Sequence, residues 1–164
     1  MQPLSQISQI WQKPDAPSAY TTGVSLHSHT SLSLETLSFI HAMCTQVPLV
    51  GAVVAYYGRV SRKKHNLTLD FESAHWRPPL VPIMAFKLER KQILSLGLEA
   101  LVSITDHDDI QAPLLLRTVP VARRIPVSVE WTAPFGATAF HLGIHNLPSA
   151  EAASWMQRFE AFTA

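Results

Sequence analysis

The sequence has a single cysteine, Cys44, so it cannot form a disulfide within the chain. It also has no excess of charge of either sign, because 13 basic residues stand against 12 acidic ones and the formal net charge is +1. A balance this even gives no electrostatic reason to expect binding to nucleic-acid backbones or to membrane surfaces. We therefore set aside the disulfide-rich and the strongly basic classes of protein.

Long apolar runs are also missing, and none approaches the length needed to cross a membrane. The first twenty residues lack the basic start and apolar stretch of a secretory signal, so we expect a cytoplasmic protein without a membrane partner. Internal repeats and low-complexity tracts are absent as well. The 164 residues are 47% hydrophobic and 15% charged, which is enough for one domain with a real core.

What the sequence does have is histidine, eight in all. Two of them, His27 and His29, lie one residue apart in the stretch "SLHSHTS". If a strand runs from Thr22 to His29, residues i and i+2 point to one face and the two imidazoles aim at the same place. That place is either a metal ion or solvent beside an edge strand, and the stretch alone does not decide between them.

Hydrophobic periodicity predicts alternating strands and helices after a lead-in segment of residues 1–21. This order favours an α/β domain with a largely parallel sheet. Residues 45–82 form the least readable part, in which the apolar run 47–57 fits a helix or a buried strand. We expect Ser33 to cap the first helix and Gly97 to end the second. The predicted strands are 22–29, 100–105, 125–129 and 139–144, and the predicted helices are 33–43, 84–96, 113–122 and 150–162.

Chemistry in such folds collects at the carboxyl ends of the strands. Imidazole together with carboxylate suits Zn, Mn or Fe ions, and a bridging carboxylate such as Glu130 lets two cations lie close together. His141, on the fourth strand, is either a ligand or a core histidine. Asp108 is expected to cap the following helix. The side chains at predicted strand ends are His27, His29, Asp106, His107 and Glu130.

Four stretches resemble the motifs of the polymerase and histidinol phosphatase (PHP) family of metal-dependent phosphoesterases. "GVSLHSHTSLS" is similar to the first motif, and "LGLEALVSITDHDDI" closely resembles the second. "IPVSVEWT" followed by "AFHLGIHN" resembles the next pair, a glutamate at a strand end and a histidine on the following strand. The resemblance covers roughly residues 23–146, with residues 45–82 as a longer insertion than usual.

The resemblance implies a distorted seven-stranded (β/α) TIM-like barrel, of which this chain holds the first strands and helices. It implies two or three divalent metal ions and hydrolysis of a phosphomonoester or phosphodiester by a metal-bound hydroxide. The substrate would be a small phosphorylated molecule, with nucleotides and oligonucleotides among the candidates. Asp106 and His107 would serve catalysis, with Asp106 orienting His107. The metal ligands carried over are His27, His29, His107, Glu130 and His141.

The sequence also departs from the family pattern. Ser25 and Leu34 stand where the family usually has aspartates, with Glu35 as the nearest acid, so we expect one metal to be held differently or to be absent. No Asp-x-His follows Glu130, so we expect residues 22–164 to be the amino-terminal portion of a PHP-like domain. A degenerate metal-binding module without turnover is the second interpretation. The third is an amidohydrolase-type metallohydrolase, which would place a lysine or histidine where the middle strand ends in Glu130.

Overall fold

The computed structural model describes residues 15–71, 73–136 and 138–163. None of the described helices is long and apolar enough to span a lipid bilayer. Short 3-10 turns occupy Ala16–Ala19 and Pro120–Ala122. The strands are β1 (Thr22–Ser25), β2 (Glu99–Val102), β3 (Val127–Phe135) and β4 (Thr138–Leu147), and the helices are α1 (Ser38–Gln46), α2 (Pro48–His65), α3 (Pro82–Ser95), α4 (Gln111–Arg117) and α5 (Ala152–Thr163).

The strands form two small sheets, which confirms the expected mixed α/β class. β1 and β2 are parallel, with Thr22 opposite Glu99, whereas β3 and β4 form an antiparallel hairpin. The prediction of a largely parallel sheet is therefore wrong for the last pair, because residues 136–137 are far too few for the crossover that parallel strands require. Among the described residues the strands do not close into a barrel.

Backbone hydrogen bonds join the two sheets just beyond the end of β2. The Glu130 N–H donates to the Asp106 carbonyl over 3.1 Å, and the Asp108 N–H donates to the Glu130 carbonyl over 3.0 Å. This makes a parallel bridge between His107 and Glu130. On the other side, the Thr105 N–H donates to the Ser28 carbonyl over 2.9 Å. All four strands are thus tied together at the carboxyl end of β2.

Helices cover the outer face of the strands and supply two apolar cores. Val102 and Ile104 pack against Phe86 of α3 and Leu116 of α4, and all four are buried. A second core contains Val127 and Val129 of β3, against which the aromatic side of α5 packs. Helix periodicity had predicted α3 and α5 correctly, because each presents an apolar stripe that must be buried to be stable.

Two glycines explain how α3 meets the sheet. A side chain at Gly23 would place its Cβ 2.6 Å from Ile93 Cγ2, so β1 can approach α3 this closely only because it has no side chain there. Gly97 follows α3 with φ of +75°. Helices commonly end at a residue in this left-handed conformation, which glycine adopts without the steric clash of a Cβ. The prediction that Gly97 ends this helix is confirmed.

Several predicted boundaries are wrong. β1 ends at Ser25 instead of His29, so the His-x-His pair follows the strand rather than lying in it. α1 begins at Ser38, and Ser33 does not cap it. α4 ends at Arg117, after which residues 120–122 turn separately. The ambiguous run 47–57 belongs to α2, which has Pro48 in its first turn. Proline is tolerated there because a backbone N–H in the first turn has no hydrogen-bond partner within the helix.

Candidate metal centre

The buried carboxylate of Glu130 lies at the centre of a cluster of four histidines. Its Oε2 is 3.3 Å from His27 Nδ1, 3.3 Å from His29 Nε2 and 3.9 Å from His107 Nε2. Its Oε1 is 3.4 Å from His141 Nδ1. The fold thus brings together all five residues that the sequence proposed as metal ligands, although they come from three separate parts of the chain.

These five residues form two groups that share Glu130 and can each hold a metal ion. His27, His29 and Glu130 make one group, and His107, Glu130 and His141 make the other. Within each group the candidate ligand atoms all lie within 4.8 Å of one another. The rings of His29 and His107 stack at 4.7 Å between centroids, so the two groups are in direct contact. Neutral imidazoles and a carboxylate match the donor preferences of Zn, Mn and Fe.

Asp106 fixes the His-x-His segment in place. The Thr30 backbone N–H donates to Asp106 Oδ1, and the Thr30 hydroxyl donates to Asp106 Oδ2 over 2.5 Å. Both residues are fully buried. The sequence interpretation had Asp106 orient His107, whereas these hydrogen bonds make it the anchor for the segment that carries His27 and His29. The two imidazoles therefore converge because of this anchor rather than because of strand alternation.

A second contact places Glu35 beside the cluster. The backbone N–H of His107 donates to Ser33 Oγ over 3.0 Å, and the backbone N–H of Leu34 donates to the His107 carbonyl over 3.1 Å. Glu35 is the next residue in the chain, and its Oε2 lies 3.7 Å from His107 Nε2. The 45–82 region supports this segment, since the Trp76 N–H donates to the Glu35 carbonyl over 2.9 Å. The only signal for Glu35 in the sequence was that it is the acid nearest to the first motif.

The two aspartates after His107 do not act as predicted. Asp108 adopts a left-handed conformation with φ of 51°, and its Oδ1 accepts a hydrogen bond from the Thr132 N–H over 2.9 Å. It thereby holds β3, and the prediction that it caps α4 is wrong. Ile110 occupies the N-cap without a side-chain hydrogen bond, and Asp109, one residue earlier, accepts a hydrogen bond at Oδ1 from the backbone N–H of Gln111, the first residue of the helix.

Burial keeps the central imidazoles neutral. It lowers the pKa of His29 from 6.5 to about 4, with repulsion from His107 and His27 adding to the effect. Burial also lowers the pKa of His107. The pKa of Asp106 is raised by burial, although the hydrogen bonds from Thr30 oppose the rise. A neutral imidazole has a free lone pair, which is the state that binds a metal ion.

Buried polar atoms without partners test whether these residues fit a cation. Among the described residues, His29 Nδ1, His107 Nδ1 and Glu130 Oε2 are buried and have no hydrogen-bond partner. A buried carboxylate oxygen is costly unless it is hydrogen-bonded, paired with a charge or bound to a metal. Because burial keeps the neighbouring His29 imidazole neutral, a divalent cation is the partner that this oxygen matches, together with the Nε2 atoms of His29 and His107 that face it.

Comparisons of this chain with protein-family models, with curated proteins and with solved structures found no match. The likeness to the PHP family therefore depends on the four sequence stretches alone. The chemistry of the site depends on the residues that surround Glu130.

Proposed function

We propose that the chain carries the first metal-binding motifs of a PHP-type phosphoesterase and that the cluster around Glu130 binds two divalent cations. The observation that supports this best is the position of one buried carboxylate, whose oxygens lie 3.3 to 3.9 Å from nitrogens of four histidines. Bound divalent ions would supply Lewis-acid activation of water and neutralise charge on the attacked phosphate and its leaving oxygen.

The residues of the cluster would have different roles in such a site. Glu130 bridges the two groups, and His107 lies buried between Glu130 and Glu35. The side chains of His27 and His141 are 64% and 43% exposed, so the cluster is open to solvent on the side where a phosphate would enter. Glu35 adds a negative charge beside His107 and compensates in part for the aspartate that Leu34 replaces.

We further propose that β1, β2 and β3 correspond to the first strands of a distorted seven-stranded barrel, from which the antiparallel β4 departs. β1 and β2 are parallel, and β3 is parallel to the segment that extends β2. Helices α3, α4 and α5 lie on the outer face, as the helices of a barrel do. Under this proposal the cluster lies beyond the carboxyl ends of β1 and β2, the side on which active sites of (β/α) barrels are found.

A metal-binding module without turnover is the second candidate. Ser25, which stands at one of the missing aspartates, points away from the cluster, because its hydroxyl donates to Glu89 Oε2 of α3 over 2.9 Å. Nothing at that position replaces the lost carboxylate, so the site has less negative charge than the family motif provides. A site with fewer anionic ligands can bind a cation and still position a phosphate poorly.

The experiment measures metal content and hydrolysis of para-nitrophenyl phosphate and bis-para-nitrophenyl phosphate with Mn, Zn or Fe(II). We compare the wild type with His107→Ala and with His75→Ala, whose ring is exposed and contacts only the Ser73 carbonyl among the contacts described. The proposal predicts two bound ions and turnover in the wild type and in His75→Ala, and loss of one ion and of turnover in His107→Ala. Bound metal without turnover of either ester supports the non-catalytic module, and wild-type turnover in His107→Ala contradicts both.

A further inference from the structure

A cavity of about 320 Å³ lies between the two sheets, away from the histidine cluster. It lies beside β2, which is joined to β3 only through the His107–Glu130 bridge beyond its end, so β2 itself has no strand pairing with β3. Ala100 of β2 lines one side, and Pro126, which precedes β3, lines the other. The volume falls in the range of about 300 to 1,000 Å³ that is typical of small-molecule sites.

The walls of this cavity are apolar and unusually open to water. Val24, Leu26 and Leu101 line it and are 56%, 55% and 52% exposed. Phe86 and Ile125 close the side toward the helices. Apolar side chains gathered around one concavity, rather than scattered singly, are typical of a surface that another molecule covers.

Two arginines give the cavity its charge. Arg90 of α3 is half-buried, Arg124 is exposed, and both line the cavity. Within the part of the chain that the structure describes, neither has an ion pair or a hydrogen bond through its side chain, and no acidic residue lines the cavity. A half-buried guanidinium without an anion has five N–H donors to satisfy, so it favours an anionic partner.

Two further polar side chains at the cavity contact each other. The Ser103 hydroxyl and His145 Nδ1 are 2.9 Å apart, within hydrogen-bonding distance, and both residues line the cavity. His145 lies in β4. The formal charge at the cavity is therefore positive only, set against a largely apolar wall.

We propose that this cavity binds an aliphatic monoanion, with its chain against Val24, Leu26 and Leu101 and its anionic group at Arg90 and Arg124. Charge complementarity selects this occupant, because an uncharged apolar molecule leaves both guanidinium groups without a partner. The proposal does not depend on the metal centre, since none of its residues belongs to the histidine cluster.

The test titrates decanoate into the 164-residue chain by calorimetry, with decanol as the uncharged probe of the same chain length. The variants are Arg90→Gln and Arg124→Gln, and the matched control is Arg123→Gln, the exposed neighbour that does not line the cavity. We expect saturable binding of decanoate at one site, weakened about tenfold by each cavity variant and unchanged in the control. Metal content should be the same in all four proteins.

A further variant keeps the proposal testable if the arginine variants fail to fold. Leu101→Glu changes an exposed side chain and adds a negative charge to the cavity wall, so it should abolish decanoate binding while the circular dichroism spectrum stays that of the wild type. Equal affinity for decanol and decanoate overturns the proposal, as does unchanged binding in Arg90→Gln. Self-association of the chain without decanoate binding also overturns it, because a second copy would then cover the cavity.

Discussion

Two regions of the molecule, the histidine cluster and the cavity, show opposite patterns of burial. Around the His107–Glu130 bridge, polar side chains such as Asp106, His107 and Glu130 are buried, and backbone hydrogen bonds cross between the sheets. Along β1 and β2 the two sheets share no strand pairing, and apolar side chains such as Val24 and Leu101 are exposed. Each pattern is the reverse of what folding alone favours.

Each region has the chemistry that we propose for a binding site. Buried carboxylate and imidazole groups without hydrogen-bond partners could hold a cation, whereas exposed aliphatic groups beside unpaired guanidinium groups fit an apolar anion. The histidine cluster is stiffened by the Thr30–Asp106 and His107–Ser33 hydrogen bonds. At the cavity, the Ser103–His145 hydrogen bond joins the two sheets, and the rest of the wall is mainly apolar packing.

The largest effect is expected from Glu130→Gln, because both metal groups share this carboxylate. The neutral amide keeps the shape but loses the charge, so metal content should fall from two ions per chain to background. His141→Ala belongs to one group only and should lose one ion. Elemental analysis after dialysis measures both, with the exposed Glu151→Gln as the control. If Glu130→Gln retained two ions, the buried polar groups of the histidine cluster would not be metal ligands, and the contrast with the cavity would fail.

A smaller effect is expected from Thr30→Val, which removes the hydroxyl that donates to Asp106. The segment carrying His27 and His29 should loosen, and metal affinity should fall by about ten- to a hundredfold, as for other residues that support ligands. The free energy of unfolding should fall by about 1–3 kcal/mol, because Asp106 loses a buried partner. Chelator competition and urea unfolding measure the two changes. Thr138→Val, at an exposed position of β4, should change neither.

The smallest effect concerns the contact between β1 and α3, on the outer face of the strands. Gly23→Ala places a Cβ 2.6 Å from Ile93 Cγ2, and overpacking of this kind costs about 1–3 kcal/mol of unfolding free energy. Gly58→Ala is the matched variant, because its Cβ would meet nothing within 4 Å inside α2, and it should stabilise the chain by about 0.5–1 kcal/mol. Urea unfolding compares the two. Equal stability changes would mean that β1 is not packed tightly against α3.

Sequence patterns predicted the elements that carry strong periodicity or distinctive end signals. α3, its end at Gly97 and the strand after it follow from an apolar stripe, a left-handed glycine and an apolar run. α5 followed from the spacing of its aromatic residues, and Trp155 and Phe159 do pack toward β3. The convergence of predicted strand ends pointed to four of the ligands, whereas His141 entered the set only through the resemblance to the PHP motifs.

What the sequence could not predict depends on contacts between distant residues. The position of His27 and His29 is set by the hydrogen bonds from Thr30 to Asp106, 76 residues along the chain. Glu35 reaches His107 because backbone groups of residues 34 and 76 fix its segment from both sides. The cavity lies beside β2, which has no strand pairing with β3, and strand periodicity carries no information about which strands pair.

The central claim is that the buried histidines and Glu130 are ligands of a divalent cation. X-ray absorption spectroscopy on the zinc-loaded chain tests it directly, because the spectrum reports the atoms bound to the metal. The account predicts a shell of imidazole nitrogen and carboxylate oxygen at about 2.0–2.2 Å, with several histidines per ion. A shell of water oxygens alone, identical in the wild type and in Glu130→Gln, would contradict it.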